Sequence, residues 1–185
     1  MVYLILADGF EDIEALAPVD ILRRAGVTVQ TVGLSGRRIV SARGVPVEAD
    51  VALDDVSLER AMDDLEMLVL PGGPGVDHLC ASRRVGQWVT AVMQADRWLG
   101  AICAAPLVPG ALGLLTGRRV TCFPGTVEEL TPHGAIIEDA PVVTDGKLIT
   151  ARAAGTALSF ALKLVEALCG PEAAQTVKGK LYYEG

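Results

Sequence analysis

Histidine is almost missing from this 185-residue chain, which has only His78 and His133. Both stand in polar, turn-like surroundings ("PGVDHL" and "TPHGAI") and read as surface residues. A metal site or a Cys-His-Asp triad therefore has little to be built from, and no metal is expected. Aromatic residues are also scarce, at 4% against 51% hydrophobic residues overall. The core is expected to be built mainly from Ala, Val, Leu and Ile, which suits helices packed closely on a sheet. Basic residues are scattered, singly or in pairs such as Arg37-Arg38 and Arg118-Arg119, and the net charge is −7. That balance excludes an electrostatic footprint for nucleic acid. The four cysteines, Cys80, Cys103, Cys122 and Cys169, form no C-x-x-C pair. They read as free thiols of a reducing compartment, not as a disulfide framework. The opening "MVYLILADGFED" has no basic n-region and turns acidic at once, so a cytoplasmic location is expected. Linkers, repeats and low-complexity segments are missing as well, which predicts one domain over residues 1–185.

What is present is an alternation of short apolar strands with helical stretches. "VYLIL" (2–6) and "MLVL" (67–70) are continuous apolar runs, as strands buried on both faces should be. "EDIEALAPVDILRRAG" follows the first as a helix, with Pro18 expected to bend or loosen it around Glu14. "VTVQTVGL" is a strand, "RRIVSARGVPVEAD" gives extended pieces around a turn at Arg43-Gly44, and "SLERAMDDL" is a short helix. Residues 76–96 are expected to be helical. "VVTDGKLIT" predicts a hairpin turning on Asp145-Gly146, and "GTALSFALKLVEALCG" a long helix stopped by Gly170 and Pro171. Such alternation predicts a doubly wound α/β sheet, mostly parallel, with helices on both faces and the hairpin at its edge.

Residues 98–117, "WLGAICAAPLVPGALGLLTG", carry no charge for twenty positions. That length meets the rule for a membrane span. The glycines and prolines fall instead where a strand, a turn and a small-residue helix need them, so no membrane partner is expected. On this reading "WLGAI" is a strand, and Cys103 sits at its carboxyl end before a helix amino terminus. Open parallel sheets place their ligand sites there. The amides of Ala104 and Ala105 are expected near the sulfur, and a strand, sharp bend and small residues resemble a nucleophile elbow. "LPGGPG" is not a phosphate loop; it is either a plain tight turn or an oxyanion-binding one. Cys80, Cys122 and Cys169 read as small buried hydrophobes.

A free thiol with a pKa near 8.5 is only a few per cent thiolate at neutral pH, and a helix dipole alone supplies about 0.3–1 kcal/mol. With histidine lacking, the candidate helper is Glu14, which follows the first strand, and a doubly wound sheet is expected to place that strand beside the one leading to Cys103. An ionised Glu14 would raise the thiol pKa; a protonated one could donate to the sulfur, so that the pair shares a proton. Glu11 and Asp12 read as a solvated acidic first helical turn.

Four stretches in this order, "ADGFEDIEALAPVDILRRAG", "VLPGG", "AICAAP" and "LITARAAGTALSFALKLVEAL", carry a resemblance. Over its whole length the chain resembles the ThiJ/PfpI superfamily, in the branch of the parkinsonism-associated protein deglycase and its bacterial relatives, which the tail "LYYEG" also resembles. The resemblance implies a flavodoxin-like three-layer sandwich and a homodimer. It implies Cys103 as nucleophile with Glu14 as its partner, and Gly72, Gly73 and Ala104 as an amide pocket. Arg24 and Arg43 match family arginines near the site and the dimer interface. The implied activities are conversion of methylglyoxal or glyoxal to hydroxy acids without any cofactor, and repair of early glycation adducts on proteins. An alternative is oxidation sensing with chaperone action through the same cysteine. Some members carry a histidine where this chain has Phe123, and the peptidase-like members have one at the position of Ala104. The last long helix usually opens with Gly-Pro-Gly, here Ala153-Ala154-Gly155. A peptidase is therefore not expected, nor is an amidotransferase, which needs a downstream His-Glu pair.

Overall fold

The computed structural model describes residues 1–184; Gly185, which ends the "LYYEG" tail, lies outside the described residues. The chain opens with β1 (Val2–Leu6), α1 (Asp12–Arg24), β2 (Val29–Gly33), β3 (Arg38–Val40), β4 (Pro46–Glu48) and β5 (Val51–Ala52). It continues through α2 (Leu58–Asp64), β6 (Met67–Leu70), α3 (Val76–Ala81), α4 (Arg83–Gln94), β7 (Trp98–Ile102) and α5 (Leu107–Ala111). After β8 (Arg119–Val120), α6 (Val127–Leu130) and β9 (Ile136–Ile137) come β10 (Val142–Asp145), β11 (Leu148–Ala151), α7 (Ala157–Cys169) and α8 (Pro171–Lys180).

Seven strands form one sheet in the order β10-β11-β7-β6-β1-β2-β5. All neighbours run parallel except the β10/β11 edge hairpin. The continuous apolar strands divide their side chains between two cores by simple alternation. Leu4, Leu6, Met67 and Val69 face one layer with Ile21 and Leu22 of α1 and Phe160 and Leu164 of α7. Ile5, Leu68, Leu70 and Leu99 face the other, with Trp88, Val89 and Val92 of α4. The result is the expected three-layer flavodoxin-like sandwich. Tyr3 and Trp88, two of the few aromatics, meet edge to face at 5.3 Å between centroids.

Several expectations are corrected. The helix expected over 76–96 breaks at Ser82, whose hydroxyl caps α4 by accepting from the Val85 amide at 3.3 Å. Pro171 starts a helix instead of only stopping one: it occupies the first turn of α8, where its missing N–H is no loss. The hairpin loop is Gly146-Lys147, since Asp145 pairs across with Leu148. The helix expected after Cys103 shrinks to Leu107–Ala111, because 103–106 is a turn and Gly113 adopts a positive φ of 73°. Finally, β1 does not lie beside β7; β6 runs between them.

Candidate active site

Because β1, β6 and β7 are parallel, their following loops emerge at one edge of the sheet, where open α/β folds bind ligands. The first two loops are laced together. The Glu11 amide donates to the Gly72 carbonyl at 2.9 Å, and the Gly75 amide to the Gly9 carbonyl at 3.0 Å. Glu11 then caps α1, its carboxylate accepting from the Glu14 amide at 2.9 Å. This fixes Glu14 in the first turn with its side chain turned inward, only 1% exposed.

Cys103 directly follows β7 with φ at +66°, a left-handed conformation that costs a non-glycine residue about 1–2 kcal/mol. Two backbone hydrogen bonds hold it there. Its amide donates to the Ala151 carbonyl at 2.9 Å, and its carbonyl accepts from the Phe123 amide at 2.8 Å. The bend turns the half-buried sulfur toward the cleft, as the elbow reading expects.

Gly72, at the end of the intervening strand, decides whether the two side chains can meet. A Cβ at that position would lie 2.5 Å from Glu14 Oε2 and 2.6 Å from Cys103 Cβ. Glutamate and cysteine therefore face each other across a residue that must have no side chain. The Gly72 amide donates to Glu14 Oε2 at 2.9 Å, so it is already used and does not join an amide pocket around the sulfur. Nor does Ala105, whose amide donates to the Ile102 carbonyl at 3.0 Å. The amides that favour a charged sulfur are those of Gly73 and Ala104.

The electrostatics follow from burial. Glu14 is pushed up to about 7, first by burial, while the Cys103 thiol and the amides of Gly72 and Ala154 pull it back. The Cys103 thiol is pushed up to about 12, first by burial and then by the charge of Glu14 and the hydrogen bond to it. The expected lowering of the thiol is not found. With α5 starting only at Leu107 and the Ala105 amide spent, no helix end reaches the sulfur. The last two causes exist only while Glu14 is ionised. Between about 7 and about 12 the pair holds one proton, and the sulfur is anionic whenever the carboxyl carries it.

The pair opens into a cleft of about 520 Å³, which Arg43 enters from the β3–β4 hairpin. Ser41 fixes that turn: its hydroxyl donates to Asp12 Oδ1 at 2.7 Å and accepts from the Arg43 amide at 3.2 Å. Asp12 is thus part of the scaffold and not simply solvated. Arg24 is not in the cleft. It lies ten residues beyond Glu14, about 15 Å along the helix, and binds Asp20 at 2.7 Å. Sequence reasoning did not anticipate Asp77, Leu107, Thr126, Glu129 and Ala154 in the lining; only the altered Ala153-Ala154-Gly155 opening hinted at Ala154. The other cysteines divide: Cys122 is buried as expected, whereas Cys80 and Cys169 are exposed, near the ends of α3 and α7. Among the described residues no group of three or more His, Cys, Asp or Glu could hold a metal ion, and no helix is long and apolar enough to cross a membrane.

The family description DJ-1/PfpI matches residues 1–167. The chain belongs to the DJ-1/PfpI family. Protein dj-1beta of Drosophila melanogaster is 39% identical over 181 residues, spanning 96% of this chain and 95% of its own. A Caenorhabditis elegans relative, glutathione-independent glyoxalase DJR-1.2, is 35% identical over 169 residues, 91% of this chain and 88% of its own. The solved structure of Schizosaccharomyces pombe DJ-1 matches with a TM-score of 0.91 at 30% identity, each chain 97% covered. In this DJ-1/PfpI chain the cleft at the strand ends thus combines a strained cysteine, a buried glutamate and a separating glycine.

Proposed function

We propose that the chain is a glyoxalase of small 2-oxoaldehydes, working through Cys103 and Glu14 without cofactor, and that the same capture releases early glycation adducts from proteins. The observation that carries this is the meeting of a buried carboxyl near neutrality with a strained cysteine across Gly72, in an open cleft. The name of the C. elegans relative supports the substrate class.

The sequence of steps conserves atoms. Glu14 takes the thiol proton as the sulfur adds to the aldehyde carbon, and the new oxyanion meets the amides of Gly73 and Ala104. Glu14 returns that proton to the oxyanion, giving a hemithioacetal. The carboxylate then removes the proton on the former aldehyde carbon, giving an enediolate, and returns it to the neighbouring carbon, while the hydroxyl proton of the hemithioacetal passes to the neighbouring oxygen. One carbon is oxidised to a thioester as its neighbour is reduced to an alcohol, so no external oxidant is needed. Water cleaves the thioester, releasing the hydroxy acid and the thiol. Methylglyoxal loss should fall at least about a thousandfold in Cys103→Ala and about a hundredfold in Glu14→Gln. Variants as active as wild type would remove the catalytic claim.

Oxidation sensing with chaperone action is less favoured, because the exposed Cys80 and Cys169 would compete for the oxidant. Those exposed thiols fit a reducing compartment such as the cytoplasm. We further propose a homodimer. Exposed apolar residues stand on α1 and on the two elements that touch it: Ile13 and Leu16 on α1, Val40 and Val45 around the β3–β4 turn, and Leu158 on α7.

A further inference from the structure

Phe123 is the one large apolar side chain at the cleft that the fold leaves 44% exposed. Its position is not left to chance. Its amide donates to the Cys103 carbonyl at 2.8 Å, and its own carbonyl accepts from the amide and the hydroxyl of Thr126, each at 2.9 Å. The ring lies over Gly125, where a Cβ would come within 2.8 Å of ring Cε1 and 3.2 Å of Cδ1. An aromatic side chain is thus carried on backbone bonded to the carbonyl of the nucleophile and left exposed in the same cleft. Val76, Leu107, Ala104 and Ala153 extend the same apolar wall, and 520 Å³ is far more than a two- or three-carbon aldehyde fills. The charged lining is mostly acidic, Glu11, Glu14, Asp77 and Glu129 against Arg43, which disfavours carbonyl compounds bearing a carboxylate.

We propose that Phe123 is a specificity-determining residue that selects 2-oxoaldehydes carrying a bulky apolar substituent, which packs on its ring while the aldehyde carbon meets Cys103. The inference rests on the glyoxalase reading. The uncharged end of such a substrate leaves water for the ring and its neighbours, while the reacting end makes the same contacts in every homologue. The preference therefore belongs in kcat/KM and not in the chemistry itself.

The test compares initial rates on glyoxal, methylglyoxal and phenylglyoxal for wild type, Phe123→Ala, Phe123→Leu and Gly125→Ala. Wild type should favour phenylglyoxal over glyoxal by about tenfold or more in kcat/KM. Phe123→Ala should lose most of that preference and change glyoxal turnover less than about twofold; Phe123→Leu should restore part of it. Gly125→Ala keeps the ring but displaces it, and should weaken phenylglyoxal turnover selectively. An equal loss on all three substrates would mark Phe123 as merely structural, and a wild type without preference would likewise overturn the proposal. If Cys103→Ala turned over aldehydes like wild type, the glyoxalase reading itself would fail, an outcome separable from either of these.

Discussion

Cys103 and Glu14 behave as one titrating unit, and a pH profile can read it. Below about 7 both groups are protonated, so no nucleophile and no base are present. Above about 7 one proton remains, shared between carboxyl and thiol, and the reactive form exists. The kcat/KM for methylglyoxal should therefore rise about tenfold per pH unit below 7 and level off above it. A profile that is flat from pH 5 to 8 would contradict the shared proton. The same shift affects stability. Glu14 is raised from 4.5 in the unfolded chain to about 7, so the folded state binds the proton more tightly. Its stabilisation is complete below 4.5 and is lost as pH rises through the interval up to about 7, some 3 kcal/mol in all. Urea unfolding at pH 5 and pH 8 should show that loss in wild type and much less of it in Glu14→Gln; equal slopes in the two proteins would refute the assignment. Both residues were legible as candidates, since each sits beside a local signal, a strand end or a helix start. The direction of the thiol shift was not, because it depends on burial and on which amides are already bonded.

Gly72 shows what the placement of elements adds to a motif. The sequence "VLPGG" suggested amides for an oxyanion, yet the decisive fact is that β6 runs between β1 and β7. That order cannot be read from one sequence, because it is fixed by which strands pair, and it turns Gly72 from an amide donor into a gap between two side chains. Gly72→Ala would thrust a methyl between Glu14 and Cys103. We expect kcat/KM to fall about a hundredfold, the effect of misplacing reacting groups by about 1 Å, with a stability loss of about 1–3 kcal/mol. A kinetic assay paired with a thermal melt checks this, and near-normal turnover would show that the pair does not act together. The strands β1, β6 and β7 were readable to the residue because each is a short apolar run leading into a turn, as β6 runs into Pro71. Short elements were not: β8 and β9 have two residues each and no period to detect. α8 was missed because Pro171 was taken as a stop, when proline serves equally well as a first helical residue.

At the scale of the whole molecule, surface area separates a protomer that is complete in itself from one that needs its partner to fold. A compact protein of 19.4 kDa should expose about 8,500 Å², and this chain exposes 8414 Å². The two cores are closed within the chain, so an assembly can form by adding faces. A stable dimer needs about 800 Å² from each partner, roughly a tenth of that surface. The exposed side chains of Ile13, Leu16, Val40, Val45 and Leu158 supply an apolar centre for such a face, and the net charge of −7 would otherwise keep copies apart. Ile13 and Leu16 lie three residues apart on the exposed side of α1, whose buried side holds Ala15, Val19 and Leu22 against the sheet. A carboxylate at Leu16 would thus leave the core untouched and put repulsive charge at the centre of the face. Sedimentation should give twice the chain mass for wild type and the single-chain mass for Leu16→Asp, with unchanged circular dichroism. A monomeric wild type, or a Leu16→Asp protein still of double mass, would move the interface away from α1 or remove it. Because Glu14 and the Arg43 turn adjoin the same face, the monomeric variant should also bind methylglyoxal more weakly, read as a raised KM.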